Sequence, residues 1–276
     1  IFAGTDPLIG ILGLYYARKF KKKFVYDLQD NFESYGTFCI PFVPVLHKKA
    51  VNDADAVISV SETLKNHIKK ERKNKVFVIP NGIDHRLFIA ISKKAARKKL
   101  NLPIGARIIA YMGHMEKLKG FDIMMNAFEK VLGKYPDSYL LLSGQVDRNI
   151  NINRKRIIYR KFPERKEVVL GINAADVAII PSPRNNFTEY CFPYKLVEYM
   201  ACGVPIVATD MGDTHRMLKG YGNSLCVPND PSDLAKKIIS KLGRNIGKID
   251  YSNAINALKW EVLAAKLDNI LNKLDK

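Results

Sequence analysis

The chain has 276 residues, 47% hydrophobic and 26% charged, and its 45 Lys and Arg against 27 Asp and Glu leave a formal net charge of +18 at pH 7. This composition can fill a core, excludes disordered and collagen-like classes, and at this length suits two modest domains. The four cysteines, Cys39, Cys191, Cys202 and Cys226, fit neither a CxxC metal pair nor a compact disulfide framework, which favours a reducing compartment. The longest early apolar run, Leu8 to Ala17, is about half of what a bilayer-spanning helix needs. The basic cluster Arg18, Lys19, Lys21, Lys22 and Lys23 follows that run, whereas a signal peptide has its charges first. A cytoplasmic location is expected, and a start at Ile1 suggests an incomplete sequence.

Asp6-Pro7 reads as an N-cap with proline at the first helical position, opening a helix that runs to Phe20. Phe24 to Tyr26 reads as a short buried strand ending at Asp27. Residues 53–60 lead into a second strand, and Ser61 caps a helix beginning at Glu62. Lys75 to Ile79 is strand-like and stops at Pro80-Asn81-Gly82, a strong turn signal. After a basic, helix-prone stretch from Ser92 to Lys99 the pattern restarts. It runs through a strand at Arg107 to Met112, a helix at Phe121 to Leu132, a strand at Tyr139 to Leu142 ended by Ser143-Gly144, and a strand at Val177 to Ile180. A helix to Cys202, a strand at Pro205 to Ala208, and helices near Pro231 to Leu242 and Asn253 to Leu274 complete it. The β-to-α alternation predicts an α/β fold with parallel sheets. The division expected is 1–88, 102–252 and a closing helix at 253–276.

Ligands of open parallel sheets bind beyond the carboxyl ends of the strands, which points to the loops after Met112, Leu142 and Ile180. The first reads Gly113-His114-Met115-Glu116-Lys117-Leu118-Lys119-Gly120, with glycine at the strand end and lysine just before a helix, a fit for phosphate. Its plain alternative is a solvated basic loop. Residues 193–203 read as a short helix with Pro193 at its start and Gly203 after its end. Lys195 and Glu198 share a face, while Leu196, Val197 and Met200 can pack beneath. The backbone donors at its start would meet a diphosphate, and Glu198 could accept from two ribose hydroxyls. An ordinary Lys-Glu surface pair has the same spacing.

The run from Pro193 to Pro205, with Gly113 to Gly120, Pro80-Asn81-Gly82-Ile83-Asp84, and the Asp55 to Ile58 and Ser59-Val60-Ser61-Glu62 segments, resembles the group 1 family of nucleotide-sugar glycosyltransferases of GT-B architecture. The match is closest to its proline-x-lysine subgroup and spans nearly the whole chain in the right order. The resemblance implies two Rossmann-like domains facing a cleft, the first one truncated here, with the closing helix returning to it. It implies transfer of a sugar from a nucleoside-diphosphate sugar to a glycan or lipid-linked acceptor, retaining and metal-independent, with no cofactor. By resemblance Glu198 binds the donor ribose, the helix start at Pro193, Tyr194, Lys195 and Leu196 receives the diphosphate with Gly113 and Gly144 nearby, and Lys119 neutralises the leaving phosphate. Three positions depart from the family: His114 stands for its usual arginine, Tyr190 for the first of its paired glutamates with Glu189 adjacent, and Gln29 for a first-domain histidine.

His114, Lys119 and Glu189 are thus the candidate catalytic residues. No cluster of acidic residues or histidine suggests a metal. His47, His67, His85 and His215 read as surface or packing residues, and Trp260 with Leu263, Leu267 and Leu271 as core of the closing helix. The lysines are spread out and no nucleic-acid fold signature appears, so nucleic acid is not an expected partner. Lys19, Lys21, Lys22, Lys23, Lys48 and Lys49 would suit an anionic membrane surface. The rival readings are a nucleotide-sugar-binding remnant without catalysis, favoured by His114 and Tyr190, and a sugar-nucleotide epimerase. The epimerase would need acid-base groups that the sequence does not display.

Overall fold

The structure, a computed structural model, describes residues 1–70, 72, 75–244 and 246–274. The chain divides into two compact units, one formed by 1–82, 185–192 and 258–276 and the other by 83–184 and 193–257. The division expected at 88 therefore falls earlier. Residues 83–88 pack with the second unit, where Ile83 and Phe88 are buried.

In the first unit β1 (Phe2–Gly4), β2 (Val25–Leu28), β3 (Ala56–Ser59) and β4 (Val76–Val78) form, among the described residues, a parallel four-stranded sheet in sequential order. The helices α1 (Pro7–Lys19), α2 (Val43–Asp53) and α3 (Glu62–Ile68) connect them. Asp6 caps α1 by accepting from the Leu8 amide at 2.8 Å, and Ser61 caps α3 by accepting from Leu64 at 3.0 Å. The Arg72 guanidinium, 3% exposed, donates to the carbonyls of Val51, Asn52 and Ala54 and so satisfies the orphan end of α2. His47 on α2 is a packing residue: it is buried, bonds the Tyr26 hydroxyl at 2.9 Å, and lies edge-on to Phe38.

The second unit opens with α4 (Lys93–Lys99), β5 (Arg107–Met112), α5 (Phe121–Lys134), β6 (Ser138–Ser143), β7 (Ile157–Tyr159), α6 (Arg165–Asn173) and β8 (Val177–Ile180). It continues with α7 (Tyr194–Ala201), β9 (Ile206–Thr209), α8 (Gly212–Leu218), β10 (Leu225–Cys226), α9 (Pro231–Gly243) and α10 (Ser252–Asn256). Its strands form a parallel sheet in the order β10-β9-β8-β5-β6-β7. On α5 the residues Phe121, Met124, Met125, Phe128 and Val131 recur at helical spacing and are buried against the sheet and α9, each contributing about 1.5–3 kcal/mol. At the amino ends of the strands Arg97, 3% exposed, joins α4 to β5 and β8 through the carbonyls of Ala174, Ile104 and Ala106 and the Asp176 carboxylate.

The single closing helix expected over 253–274 is two, α10 and α11 (Trp260–Leu274), and α11 packs in the first unit. Residues 275 and 276 lie outside the described residues. Leu263 and Ile270 are its buried positions, whereas Trp260 is 50% exposed and lies over Gly82 instead of entering the core. No helix among the described residues is long and apolar enough to cross a membrane.

Candidate functional site

β5 lies between β6 and β8, so the chain leaves it toward opposite sides of the second sheet, and a crevice at the carboxyl ends follows from that reversal. Gly113 ends β5 with φ +155°, donates its amide to the Ser143 carbonyl at 2.7 Å, and leaves no room for a Cβ because the Lys195 side chain stands there. Gly144, at φ +130°, likewise has the Gly113 carbonyl where a Cβ would be. Only glycines let these two strand ends and α7 approach so closely. The Met115 amide donates to Gln145 at 2.8 Å and that of Asp147 to Met115 at 3.1 Å, which zips the two loops together.

His114 sits at this junction with Asp147 Oδ1 2.6 Å from its Nε2 and Glu116 Oε1 3.5 Å from its Nδ1. Lys119, in the last turn before α5, places its Nζ 2.6 Å from the same Glu116 oxygen. The sequence suggests no acid–histidine cluster. The structure corrects this: the ligating atoms of His114, Glu116 and Asp147 lie within 4.8 Å of one another. Asp147 comes from the neighbouring loop, 33 residues from His114, a separation no spacing rule detects. The two carboxylates face opposite ring nitrogens, and an ammonium already lies on Glu116. Glu116 thus bridges the His114 ring and the Lys119 ammonium, and Asp147 holds the ring from its other side.

The helix α7 starts after Pro193, which offers no side-chain cap to its first turn. Of the donors expected to meet a ligand there, the Leu196 amide is already bonded to the Pro193 carbonyl at 2.9 Å, and the Leu196 side chain is core together with Val197 and Met200. The Tyr199 hydroxyl, fully buried, accepts from the Met112 amide at 2.9 Å and fixes α7 to the end of β5. Lys195 runs over the Tyr111 ring, its Nζ 5.2 Å from the centroid. Glu198 is no surface partner of Lys195. It is 5% exposed and its Oε1 lies 2.8 Å from Nη2 of Arg165, at the first position of α6. Burial pushes the Glu198 carboxyl above the usual carboxylate range, against the pull of Arg165 and then Lys195.

Gly113, His114, Lys119, Gly144, Pro193, Tyr194, Lys195, Leu196 and Glu198 thus belong to one unit. Glu189 does not: it is half-buried in the 185–192 segment of the first unit, its amide bonded to Asn185 at 3.0 Å. Beside it the Tyr190 ring packs on His67 at 4.5 Å between centroids, and its carbonyl accepts from the Ser61 hydroxyl at 2.7 Å. Gln29 donates to Asp27 at 2.9 Å, easing a carboxyl raised by burial. Arg165, Glu116 and Asp147 escaped the sequence reading. For Arg165 one signal existed, a cation at a helix start, where the helix dipole disfavours it.

A family model described as "Glycosyl transferases group 1" matches residues 106–243, and one described as "Glycosyltransferase Family 4" matches residues 5–87. Among curated relatives, D-inositol 3-phosphate glycosyltransferase of Mycolicibacterium smegmatis is 25% identical over 80% of this chain and 52% of its own length. The putative teichuronic acid biosynthesis glycosyltransferase TuaC of Bacillus subtilis is 26% identical over 80% of this chain and 54% of its own. The chain spans about half the length of these relatives. Among solved structures, Anabaena HepE in complex with UDP superposes with a TM-score of 0.81 at 18% identity, over 98% of this chain and 79% of that one. Sucrose-phosphate synthase from Thermosynechococcus elongatus superposes with a TM-score of 0.77 at 20% identity, over 99% and 73%. At these identities the structural likeness carries the fold, an α/β fold of two Rossmann-like domains.

Proposed function

The chain belongs to the group 1 glycosyltransferases, and on that premise we propose that its second unit binds a nucleoside-diphosphate sugar whose sugar is transferred to a glycan or lipid-linked acceptor. The observation that carries this reading is Glu198, a buried carboxylate one turn into a helix whose uncapped start stands against the glycine-lined end of β5. The ribose hydroxyls donate to Glu198, and the diphosphate lies by Gly113, Gly144, Tyr194 and Lys195. Transfer breaks the bond between anomeric carbon and phosphate with oxocarbenium character, so negative charge grows on the leaving phosphate. On this reading Lys119, held by Glu116, neutralises that charge, and His114, held by Asp147, hydrogen-bonds the phosphate. On the same reading the reaction is retaining and needs neither a metal nor a cofactor.

The acceptor falls to the first unit, where a cavity of about 260 Å³ is lined by Asp30, Glu33, His67 and Lys48 over the rings of Phe32 and Phe38, a surface suited to a polyhydroxylated ring. A cytoplasmic enzyme at an anionic membrane face fits α1 and the residues just after it, which expose Leu12, Tyr15, Tyr16 and Phe20 beside Lys19, Lys21 and Lys22. Co-sedimentation with anionic and with neutral vesicles tests that docking, and equal binding to both would dismiss it. Calorimetry with UDP, GDP and ADP tests the donor site: at least one binds the wild type, and Glu198→Ala weakens it by roughly 10-fold or more, the worth of a hydrogen bond to a charged group. No binding by any of the three overturns the reading. Turnover of labelled nucleotide sugars with and without acceptor then separates transfer from epimerisation and from binding without chemistry.

A further inference from the structure

Arg165 is an expensive residue for its position. It opens α6, where the positive end of the helix dipole repels a cation. The start of α6 is nonetheless fixed, with the Glu164 amide donating to the Glu167 carboxylate at 3.2 Å. The guanidinium is held between two rings, 4.8 Å from the centroid of the buried Phe88 and 5.8 Å from that of Tyr194, whose hydroxyl lies 3.3 Å from Nη2. Its side chain remains 53% exposed, so neither helix stability nor core packing accounts for it. What this placement achieves is a planar cation brought 2.8 Å from one oxygen of a carboxylate that the fold has otherwise removed from water.

Resting on the donor-site reading above, we propose that Arg165 is a positioning residue for nucleotide binding, holding Glu198 ionised and turned so that its second oxygen receives the ribose hydroxyls. A protonated Glu198 would lose acceptor capacity toward two hydroxyl donors at once. The charged or titratable groups acting on Glu198 are Arg165 from α6, Lys195 and Tyr199 on its own helix, and Cys202 at that helix's end. Burial raises the Cys202 thiol to about 12 and the Tyr199 phenol well above its ordinary value, so both stay neutral in the neutral range. Of the two cations, Arg165 acts on the carboxylate more strongly than Lys195. Burial favours the protonated carboxyl and Arg165 opposes it, so removing Arg165 raises the pH at which Glu198 loses its charge.

The test is UDP affinity, measured by calorimetry from pH 5 to 8, for the wild type, Arg165→Gln, Arg165→Lys, Glu198→Gln and the double variant Arg165→Gln/Glu198→Gln. Arg165→Gln is expected to weaken UDP binding about tenfold at neutral pH and to move the acid-side loss of affinity to higher pH. Arg165→Lys restores part of both effects. Glu198→Gln, which cannot ionise, binds weakly and keeps only the acid-side loss that protonation of the UDP phosphate itself causes, the same in Glu198→Gln and Arg165→Gln/Glu198→Gln, and a merely structural role for Arg165 would not shift the pH profile at all. Arg165→Gln binding UDP as tightly as the wild type, or more tightly because an oxygen of Glu198 is released, with an unmoved profile, overturns the inference. Loss of binding in Glu198→Ala with none in Arg165→Gln refutes this inference alone. A wild type that binds no nucleoside diphosphate refutes the donor-site reading and this inference with it.

Discussion

Gly113→Ala separates the two things this glycine does. Its φ of +155° is a backbone conformation that alanine adopts only under strain, worth about 1–3 kcal/mol. Its missing Cβ is also the space through which the Lys195 side chain passes. That chain is flexible at its far end, so an added methyl displaces it at little energetic cost, and the steric effect falls on the ligand instead of on the fold. If Lys195 makes a charge-assisted hydrogen bond to the diphosphate, losing it costs about 1.5–3 kcal/mol, roughly 10- to 150-fold in affinity. The backbone strain should lower the thermal midpoint by roughly 2–12 °C. A double-mutant cycle resolves the two. In the Lys195→Ala background Gly113→Ala should retain its full thermal penalty and add almost nothing to the loss of UDP affinity, because the side chain it displaces is gone. Calorimetry and thermal melts on the four proteins supply the numbers. Affinity losses that simply add would refute the reasoning, since the glycine would then act on the ligand through something other than Lys195.

Lys119→Ala should lower the rate of sugar transfer by about 100-fold or more while changing UDP affinity far less, because leaving-group charge is larger in the transition state; a normal rate would remove Lys119 from the chemistry. Gly133 lies inside α5 with open space where a Cβ would be, so Gly133→Ala should raise stability by about 0.5–1 kcal/mol in urea unfolding, and a loss would show that the helix surface is not free there. Burial, partly offset by Glu33, holds His47 below the usual histidine range, so the folded protein binds fewer protons there than the unfolded chain. Its stability contribution is full above the unfolded value of about 6.5 and is lost as pH falls from there toward the folded value. Unfolding in urea at pH 7.5 and 5.5 should show that loss in the wild type and a smaller one in His47→Gln; identical losses would mean that other groups dominate.

Much of the fold was legible because its elements announce themselves locally. Asp6-Pro7 and Ser61 cap the helices they were expected to cap, and the strands Arg107–Met112 and Val177–Ile180 appear with the expected limits, since continuous apolar runs ending in turn residues have few other uses in a parallel sheet. The elements missed lacked such signals. Strands β1 and β7 have three residues each, and their apolar runs, Ile1-Phe2-Ala3 and Ile157-Ile158-Tyr159, are too short to stand out, with only Ala3 fully buried. Helix α2 begins after a pair of short 3-10 turns with no capping side chain, Phe42 standing at its N-cap in a left-handed conformation. Trp260 was misplaced for a related reason: a large aromatic at helical spacing reads as core, yet it covers Gly82, whose lack of a side chain makes a flat seat that no periodicity reveals.

The candidate site divides along the same line. What a strand end and a helix start impose on their own residues could be read directly: Gly113, Lys119, Lys195 and Glu198 follow from a loop or helix that is contiguous in sequence. What tunes those residues comes from other elements. Asp147 reaches His114 from the loop after β6, and Arg165 reaches Glu198 from the start of α6, because the crevice at the reversal of strand order gathers loops that are distant in the chain. The direct readings name groups that can touch a ligand, and the contacts from other elements hold those groups in place. Burial alone favours the neutral form of Glu198 and the Arg165 guanidinium opposes it, so the contact that sequence could not supply acts directly on the residue it could.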